Sequence, residues 1–193
     1  FCMERERGIT IFSKQAQLLW EGLDITLLDT PGHVDFSAEM ERTLQVLDYA
    51  LLVISGSDGV QGHVQTLWRL LGQYGIPAFL FVNKMDQPGT DRKRLLRELQ
   101  GKLGGACLEF GPEAEGRGEA WLEELSMCDE ALLEEYLETG GLAERSVAKA
   151  IAGRHVFPCY FGSALRLEGL EDLLRGIRRF VRCPKYPREF GAR

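Results

Sequence analysis

Two kinds of apolar pattern alternate along this chain. Residues 49–55, 76–82 and 156–161 are short runs in which nearly every side chain is apolar, the pattern of buried strands. Around these runs, apolar residues repeat every three or four positions and predict helices over 36–47, 64–71, 95–103 and 170–177. Strands without polar interruptions that alternate with helices are typical of a parallel sheet covered on both faces. We therefore predict an α/β fold with helices on both faces of the sheet.

A hairpin is predicted ahead of the first buried run. Residues 11–20 and 24–29 have strand-like composition, and Glu21-Gly22-Leu23 separates them. A short glycine-containing connection between two such runs favours an antiparallel pair. The expected sheet is thus mostly parallel, with one antiparallel hairpin.

The composition changes between residues 104 and 153, where carboxylates and glycines are frequent. The glycines separate short helices that we predict over 119–139 and 142–152. We interpret this region as a small acidic helical insertion, and its acidic run 123–138 as a solvated helix face. Residues 182–193 contain the prolines and basic residues of a linker. We therefore predict one domain over 1–181, followed by a linker toward a further domain.

Composition limits the possible functions. A chain of 193 residues that is 45% apolar can bury one core. Its formal charge of −6 argues against nonspecific electrostatic binding to nucleic acid. No apolar run approaches the roughly 20 residues that span a bilayer. Five cysteines without a C-x-x-C pair favour reduced thiols. We expect a cytoplasmic monomer that binds neither membrane nor specific DNA sequences.

Three clusters of polar or small residues each follow a predicted strand. Ligands of parallel sheets bind beyond the carboxyl ends of the strands, so these clusters are candidates for chemistry. The first is Asp29-Thr30-Pro31-Gly32-His33. A carboxylate at a strand end can hold Mg²⁺ through water, and a nearby glycine lets a backbone N–H approach a phosphate. A simple turn before a helix is the alternative.

The second cluster is Asn83-Lys84-Met85-Asp86. One carboxylate can accept both the ring N–H and the exocyclic amine of guanine, a donor pair that adenine lacks. In this interpretation Asp86 recognises the base and Asn83 stabilises the neighbouring loops. The aliphatic part of the Lys84 side chain lies over the plane of the base. The alternative is an ordinary turn in which the aspartate caps a helix.

The third cluster is Gly162-Ser163-Ala164-Leu165. Small residues here would let backbone amides reach the oxygen of a base. Taken alone, this segment indicates only a strand-to-helix turn. The order of the three clusters, from phosphate to base, is the order in which a GTPase needs them.

Together, residues 29–33, 83–86 and 162–164 resemble the third, fourth and fifth GTP-binding motifs of translational GTPases. Residues 4–11 are similar to the end of switch I in these factors, and His33 after Asp-Thr-Pro-Gly resembles ribosome-dependent factors rather than Ras-like ones. The resemblance implies a P-loop NTPase-type G domain that binds GTP or GDP with Mg²⁺. It also implies the GTPase-activating centre of the ribosome as a partner.

The resemblance assigns roles to individual residues. Thr10 and Asp29 would hold Mg²⁺, the Gly32 amide would contact the γ-phosphate and His33 would position the attacking water. The base would be bound by the residues of the second and third clusters: Asn83, Lys84, Asp86, Ser163 and Ala164. The catalytic residues implied are thus His33 and Gly32.

The region between Asp86 and Gly162 resembles most the tetracycline-resistance ribosomal protection proteins, because elongation factor G usually carries a larger insertion there. No G-x-x-x-x-G-K-[ST] phosphate loop occurs between residues 1 and 193. We therefore expect the isolated chain to hydrolyse GTP negligibly and to be poorly stable. The alternatives are a translocating or recycling factor like elongation factor G, and a pseudo-GTPase without a phosphate loop that serves as an interaction module.

Overall fold

The computed structural model describes residues 14–30 and 43–182. Strands β1 (Lys14–Trp20) and β2 (Leu23–Asp29) form an antiparallel hairpin in which Lys14 lies opposite Asp29. Glu21 and Gly22 connect the strands with backbone φ angles of 43° and 86°. Positive φ at both positions is the geometry of the tight turns that match strand twist. The predicted hairpin is confirmed.

Four parallel strands form the main sheet: β3 (Ala50–Ser55), β4 (Ala78–Asn83), β5 (Cys107–Glu109) and β6 (Phe157–Phe161). Their spatial order is β3-β4-β6-β5, and Ser55 lies opposite Asn83 in the register. Strands β4 and β6 are central and buried almost throughout, as their uninterrupted apolar sequences predict.

Helices cover both faces of this sheet. They are α1 (Gly62–Gln73), α2 (Arg92–Leu103), α3 (Pro112–Glu115), α4 (Glu119–Ser126), α5 (Glu130–Thr139), α6 (Glu144–Ala152) and α7 (Leu170–Phe180). One core forms where α1 and α2 pack on Leu80 and Val82. The other lies where α4, α6 and α7 pack on Phe79 and Phe81. The predicted α/β fold is therefore confirmed.

The acidic region between residues 104 and 153 is not wholly peripheral. It contains β5, which extends the main sheet through backbone pairing with β6, and Cys107 in this strand is fully buried. Strand β5 is not predicted by the sequence pattern, because its three residues are too few to show a period. The helical stretch predicted over 119–139 is two helices, because Asp129 caps a new helix by accepting a hydrogen bond from Leu132 N at 3.1 Å.

Helices in the described residues are too short or too polar to cross a membrane. The longest are α1 and α2, with 12 residues each, against the roughly 20 that a bilayer requires.

Candidate functional site

The loops that follow β3, β4 and β6 meet at the carboxyl edge of the main sheet. Gly56 N donates to Asn83 O at 2.7 Å, and Met85 N donates to Gly162 O at 3.0 Å. A Cβ on Gly56 would lie 3.0 Å from Asn83 O and from Met85 Sδ, closer than most Cβ contacts, so this close approach favours glycine. The backbone thus assembles three segments that are distant in sequence into one surface.

Asn83 joins two of these loops through its side chain. Its Oδ1 accepts hydrogen bonds from Lys84 N at 2.8 Å and from Ala164 N at 2.9 Å. Lys84 has a φ of 64°, an uncommon conformation for a residue with a Cβ. The bond to Asn83 helps to hold this strained turn, in which the Lys84 side chain is exposed.

Asp86 lies in the same loop, and its side chain is 17% exposed. It does not cap the following helix. Helix α2 begins at Arg92, and its cap is Asp91, which accepts a hydrogen bond from Arg94 N at 2.5 Å. The alternative interpretation of the second cluster, in which Asp86 caps a helix, is therefore wrong, because Asp91 is the capping residue.

Ser163 approaches Asp86 from the neighbouring loop. This serine is fully buried, and its hydroxyl does not reach full hydrogen-bond geometry with any group in the described residues. Its proximity is nevertheless the largest factor that lowers the pKa of Asp86, and the charge of Arg166 contributes in the same direction, whereas partial burial opposes both. Asp86 is therefore an ionised acceptor at neutral pH beside an unsatisfied hydroxyl, an arrangement that fits a ligand rich in N–H donors.

The loop after β3 borders a concavity of about 360 Å³. Among its lining residues are Ser55, Asp58 and the exposed His63. Glu98 on α2 holds this loop by accepting a hydrogen bond from Val60 N at 3.0 Å. Ser55 in the lining of the concavity lies opposite Asn83 in the strand register, so the concavity and the Asn83 loop are at the same edge of the sheet.

The residues of the first cluster are placed only in part. Asp29 is an exposed residue at the end of β2. In the described ranges, no strand pairing joins the hairpin to the main sheet. Gly32, His33 and Thr10 lie outside the described residues. No group of three His, Cys, Asp or Glu side chains that could hold a metal occurs within the described ranges, so an ion at Asp29 would need oxygen ligands from elsewhere.

Sequence reasoning missed one charged residue at this site. Arg166 lies in the 3₁₀ turn Ala164–Arg166, and its Nε is 3.6 Å from Asp86 Oδ2. The only feature of the sequence that could have indicated this residue is its basic side chain two positions after Ala164. Its relation to Asp86 depends on two loops that the fold brings together.

Comparisons with known proteins agree with the fold described above. The sequence-family model described as the elongation factor Tu GTP binding domain matches residues 1–182 of this chain. A crystal structure of a protein from Thermus thermophilus is similar to this chain, with a TM-score of 0.78 and 26% sequence identity. The similarity covers 94% of this chain and 34% of that protein, so the chain spans about a third of that protein's length. With nearly all of its residues matched, the chain belongs to the family of elongation factor Tu GTP-binding domains, the guanine-nucleotide-binding domains of translational GTPases.

Proposed function

We propose that this chain reads the guanine base of GTP through Asp86 and serves as the nucleotide-binding domain of a ribosome-associated GTPase. The observation that carries the proposal is a partly buried, ionised Asp86 carboxylate in the loop after β4, where the loop after β6 lies beside it. Guanine offers two parallel N–H donors to such a carboxylate, whereas adenine presents an acceptor at the ring nitrogen. A wrong base would leave the carboxylate unpaired, which is the costly outcome for a polar site.

The loops around Asp86 supply the other contacts to the base. Asn83 connects the Lys84 turn to Ala164, so the residues above and below the base plane are positioned together. The Ala164 amide donates to Asn83, and the Arg166 and Leu167 amides donate within the turn, so the Leu165 amide would be the donor to the base oxygen. Lys84 is exposed, and its four-carbon stem is long enough to cover the face of the base.

The first cluster, together with Thr10, would bind the triphosphate end of the nucleotide. Asp29 and Thr10 would hold Mg²⁺, whose charge, when the ion is bound, offsets the charge that develops on the phosphate oxygens. The Gly32 amide would donate to the γ-phosphate, and His33 would orient the attacking water. Because phosphoryl transfer depends mostly on positioning, His33 acts only when a partner places it, and we propose that the ribosome does so.

Replacement of Asp86 by asparagine tests base recognition. The amide presents an N–H donor where the carboxylate accepted one, so it disfavours the guanine amine and favours the carbonyl that xanthine carries instead. We expect Asp86→Asn to weaken GDP binding by about 100-fold or more and to strengthen XDP binding, measured by titration calorimetry on the full-length protein.

The matched control is Asp91→Asn on the same loop. Asparagine caps helices as well as aspartate does, so this variant should bind GDP normally. Wild-type protein that binds ADP as tightly as GDP, or an Asp86→Asn protein that keeps its GDP affinity, would show the proposal to be wrong.

For the activity of the whole protein, we propose protection of the ribosome against tetracycline. The moderate length of the acidic helical region supports it over a role like that of elongation factor G. Expression of the full gene in a sensitive host, with His33→Ala as control, tests this choice. Resistance that the control loses supports protection, whereas ribosome-stimulated hydrolysis without resistance indicates a translocating or recycling factor. Absence of both indicates an interaction module.

A further inference from the structure

The loop that carries Asp86 reverses direction at a proline-glycine pair. Pro88 and Gly89 follow Gln87, and Gly89 has a backbone φ of 83°. Thr90 N donates a hydrogen bond to Gln87 O at 3.4 Å across this pair. Proline at the second position of a turn and glycine with positive φ at the third are typical of a type II turn. The turn brings Thr90 back against the segment that contains Asp86.

The Thr90 hydroxyl contacts the backbone on both sides of Asp86. Its Oγ1 lies 2.9 Å from Met85 O and 2.9 Å from Gln87 O, the carbonyl oxygens of the two residues that flank Asp86. A hydroxyl has one proton, so it donates to the two oxygens in a three-centre bond or to each in turn. The hydroxyl therefore restrains the backbone from which the Asp86 side chain projects.

Thr90 is itself held in place by packing. It is half-buried, and a Cβ on Gly56 would lie 3.5 Å from its Cγ2, so the methyl group of Thr90 faces the loop after β3. Because a β-branched side chain has few rotamers, a methyl group held on one side fixes the direction of the hydroxyl. Met85 N also donates to Gly162 O at 3.0 Å, which connects the same segment to the loop after β6. Thr90 thus links the Asp86 segment to fixed parts of the sheet edge.

We infer that Thr90 is a positioning residue for base recognition, whose hydroxyl orients the Asp86 carboxylate toward the ring N–H and the exocyclic amine of guanine. This inference rests on the proposed recognition of guanine by Asp86. Thr90 acts through the backbone on either side of Asp86 and need not contact the nucleotide. Hydrogen bonds weaken steeply with misalignment, so a tilted carboxylate loses more binding from two parallel donors than from one.

The test compares GDP and IDP binding by wild-type and Thr90→Val full-length protein in titration calorimetry. Valine keeps the branched shape and the methyl group of threonine but has no hydroxyl. Hypoxanthine, the base of IDP, lacks the exocyclic amine, so it offers the carboxylate one N–H donor where guanine offers two. We expect Thr90→Val to weaken GDP binding roughly tenfold and IDP binding roughly threefold, so that the preference for GDP falls by about a factor of three.

Three further variants control for the hydroxyl and for folding. Thr90→Ser keeps the hydroxyl and should retain most of the preference for GDP over IDP. Thr90→Ala has no hydroxyl and adds no bulk, so it should show the reduced preference even if valine disturbs the loop. Thr139→Val is the matched control, because the Thr139 hydroxyl at the end of α5 also lies near two carbonyl oxygens, those of Glu135 at 2.8 Å and Gly141 at 3.0 Å. It should change neither affinity, and cooperative thermal melting confirms that each variant is folded.

The outcomes separate the inference from the proposal on which it rests. A preference for GDP over IDP that falls in Thr90→Val and persists in Thr90→Ser supports the positioning role. Equal weakening of both nucleotides, unchanged binding, or the same loss of preference in Thr90→Ser would overturn it. Wild-type protein that binds ADP as tightly as GDP would instead overturn the proposed function, and the inference with it.

Discussion

At the scale of single residues, one amide oxygen connects loops that are 81 positions apart in sequence. Asn83 Oδ1 accepts from Lys84 N within its own turn and from Ala164 N in the loop after β6. An acceptor with two lone pairs can serve both donors at once. The side chain thereby couples the geometry of the turn before Asp86 to that of the turn that carries Arg166.

We expect Asn83→Ala to weaken GDP binding by about tenfold, because two backbone donors lose their acceptor and the two loops lose their connection. Amide hydrogen exchange at Ala164, followed by NMR, should accelerate in the same variant. Asn83→Asp keeps an acceptor oxygen in place and should retain slow exchange at Ala164. Unchanged exchange and unchanged affinity in Asn83→Ala would contradict this role.

At the scale of secondary structure, α7 lies against β6 at a position that has no room for a side chain. A Cβ on Gly176 would fall 1.8 Å from Tyr160 Oη, and Tyr160 is buried between the sheet and the helix. Burial also raises the pKa of the Tyr160 hydroxyl, because the anion would lose its hydration. If residue 176 had a side chain, the buried ring of Tyr160 could not move into solvent to make room for it. Helix α7 would have to shift away from β6 instead.

We expect Gly176→Ala to lower the free energy of unfolding by about 1–3 kcal/mol, the usual cost of overpacking a core, as measured by chemical denaturation. Gly101→Ala is the matched control within α2, because no atom lies within 4 Å of its added Cβ. Alanine there should stabilise the helix by about 0.5–1 kcal/mol. Equal effects of the two substitutions would mean that the close approach of α7 to β6 is not a constraint.

At the scale of the whole molecule, β3 pairs on one side only within the described residues, with β4. Leu52 and Ile54 are buried under α1 and α2, whereas Leu51 and Val53 on the opposite face are exposed. Apolar strand surface beside unpaired backbone groups promotes association between chains. The same edge borders the concavity at the end of β3.

We expect the isolated chain 1–193 to associate in a concentration-dependent manner, and Val53→Lys to suppress this association in light scattering. Val53 is 54% exposed, so the charge costs little stability. Val46→Lys places the same charge on a valine that is 65% exposed but outside the sheet, and it should leave association unchanged. A chain that stays monomeric at high concentration would contradict the expectation.

The sequence by itself determined the kinds of element and their order, because period and burial of apolar residues are local properties. Uninterrupted apolar runs were sufficient to predict β3, β4 and β6 as strands, and Glu21-Gly22 was sufficient for the hairpin. They did not show that β4 and β6 are the central strands, or that Leu51 and Val53 of β3 are exposed, because strand order depends on pairing between distant segments. The three residues of β5 were not recognised, since such a short strand exists only through its pairing with β6.

Only the tertiary structure decided which of two neighbouring aspartates caps a helix and which lies beside the loop after β6. Asp86 and Asp91 both lie between β4 and α2, and the assignment depends on where the first turn of α2 begins. The positions of Ser163 and Arg166 against Asp86 likewise arise from parallel strands that bring their carboxyl ends together. Local sequence encodes the side chains that a site contains, but the distances between them are set by strand pairing across the sheet.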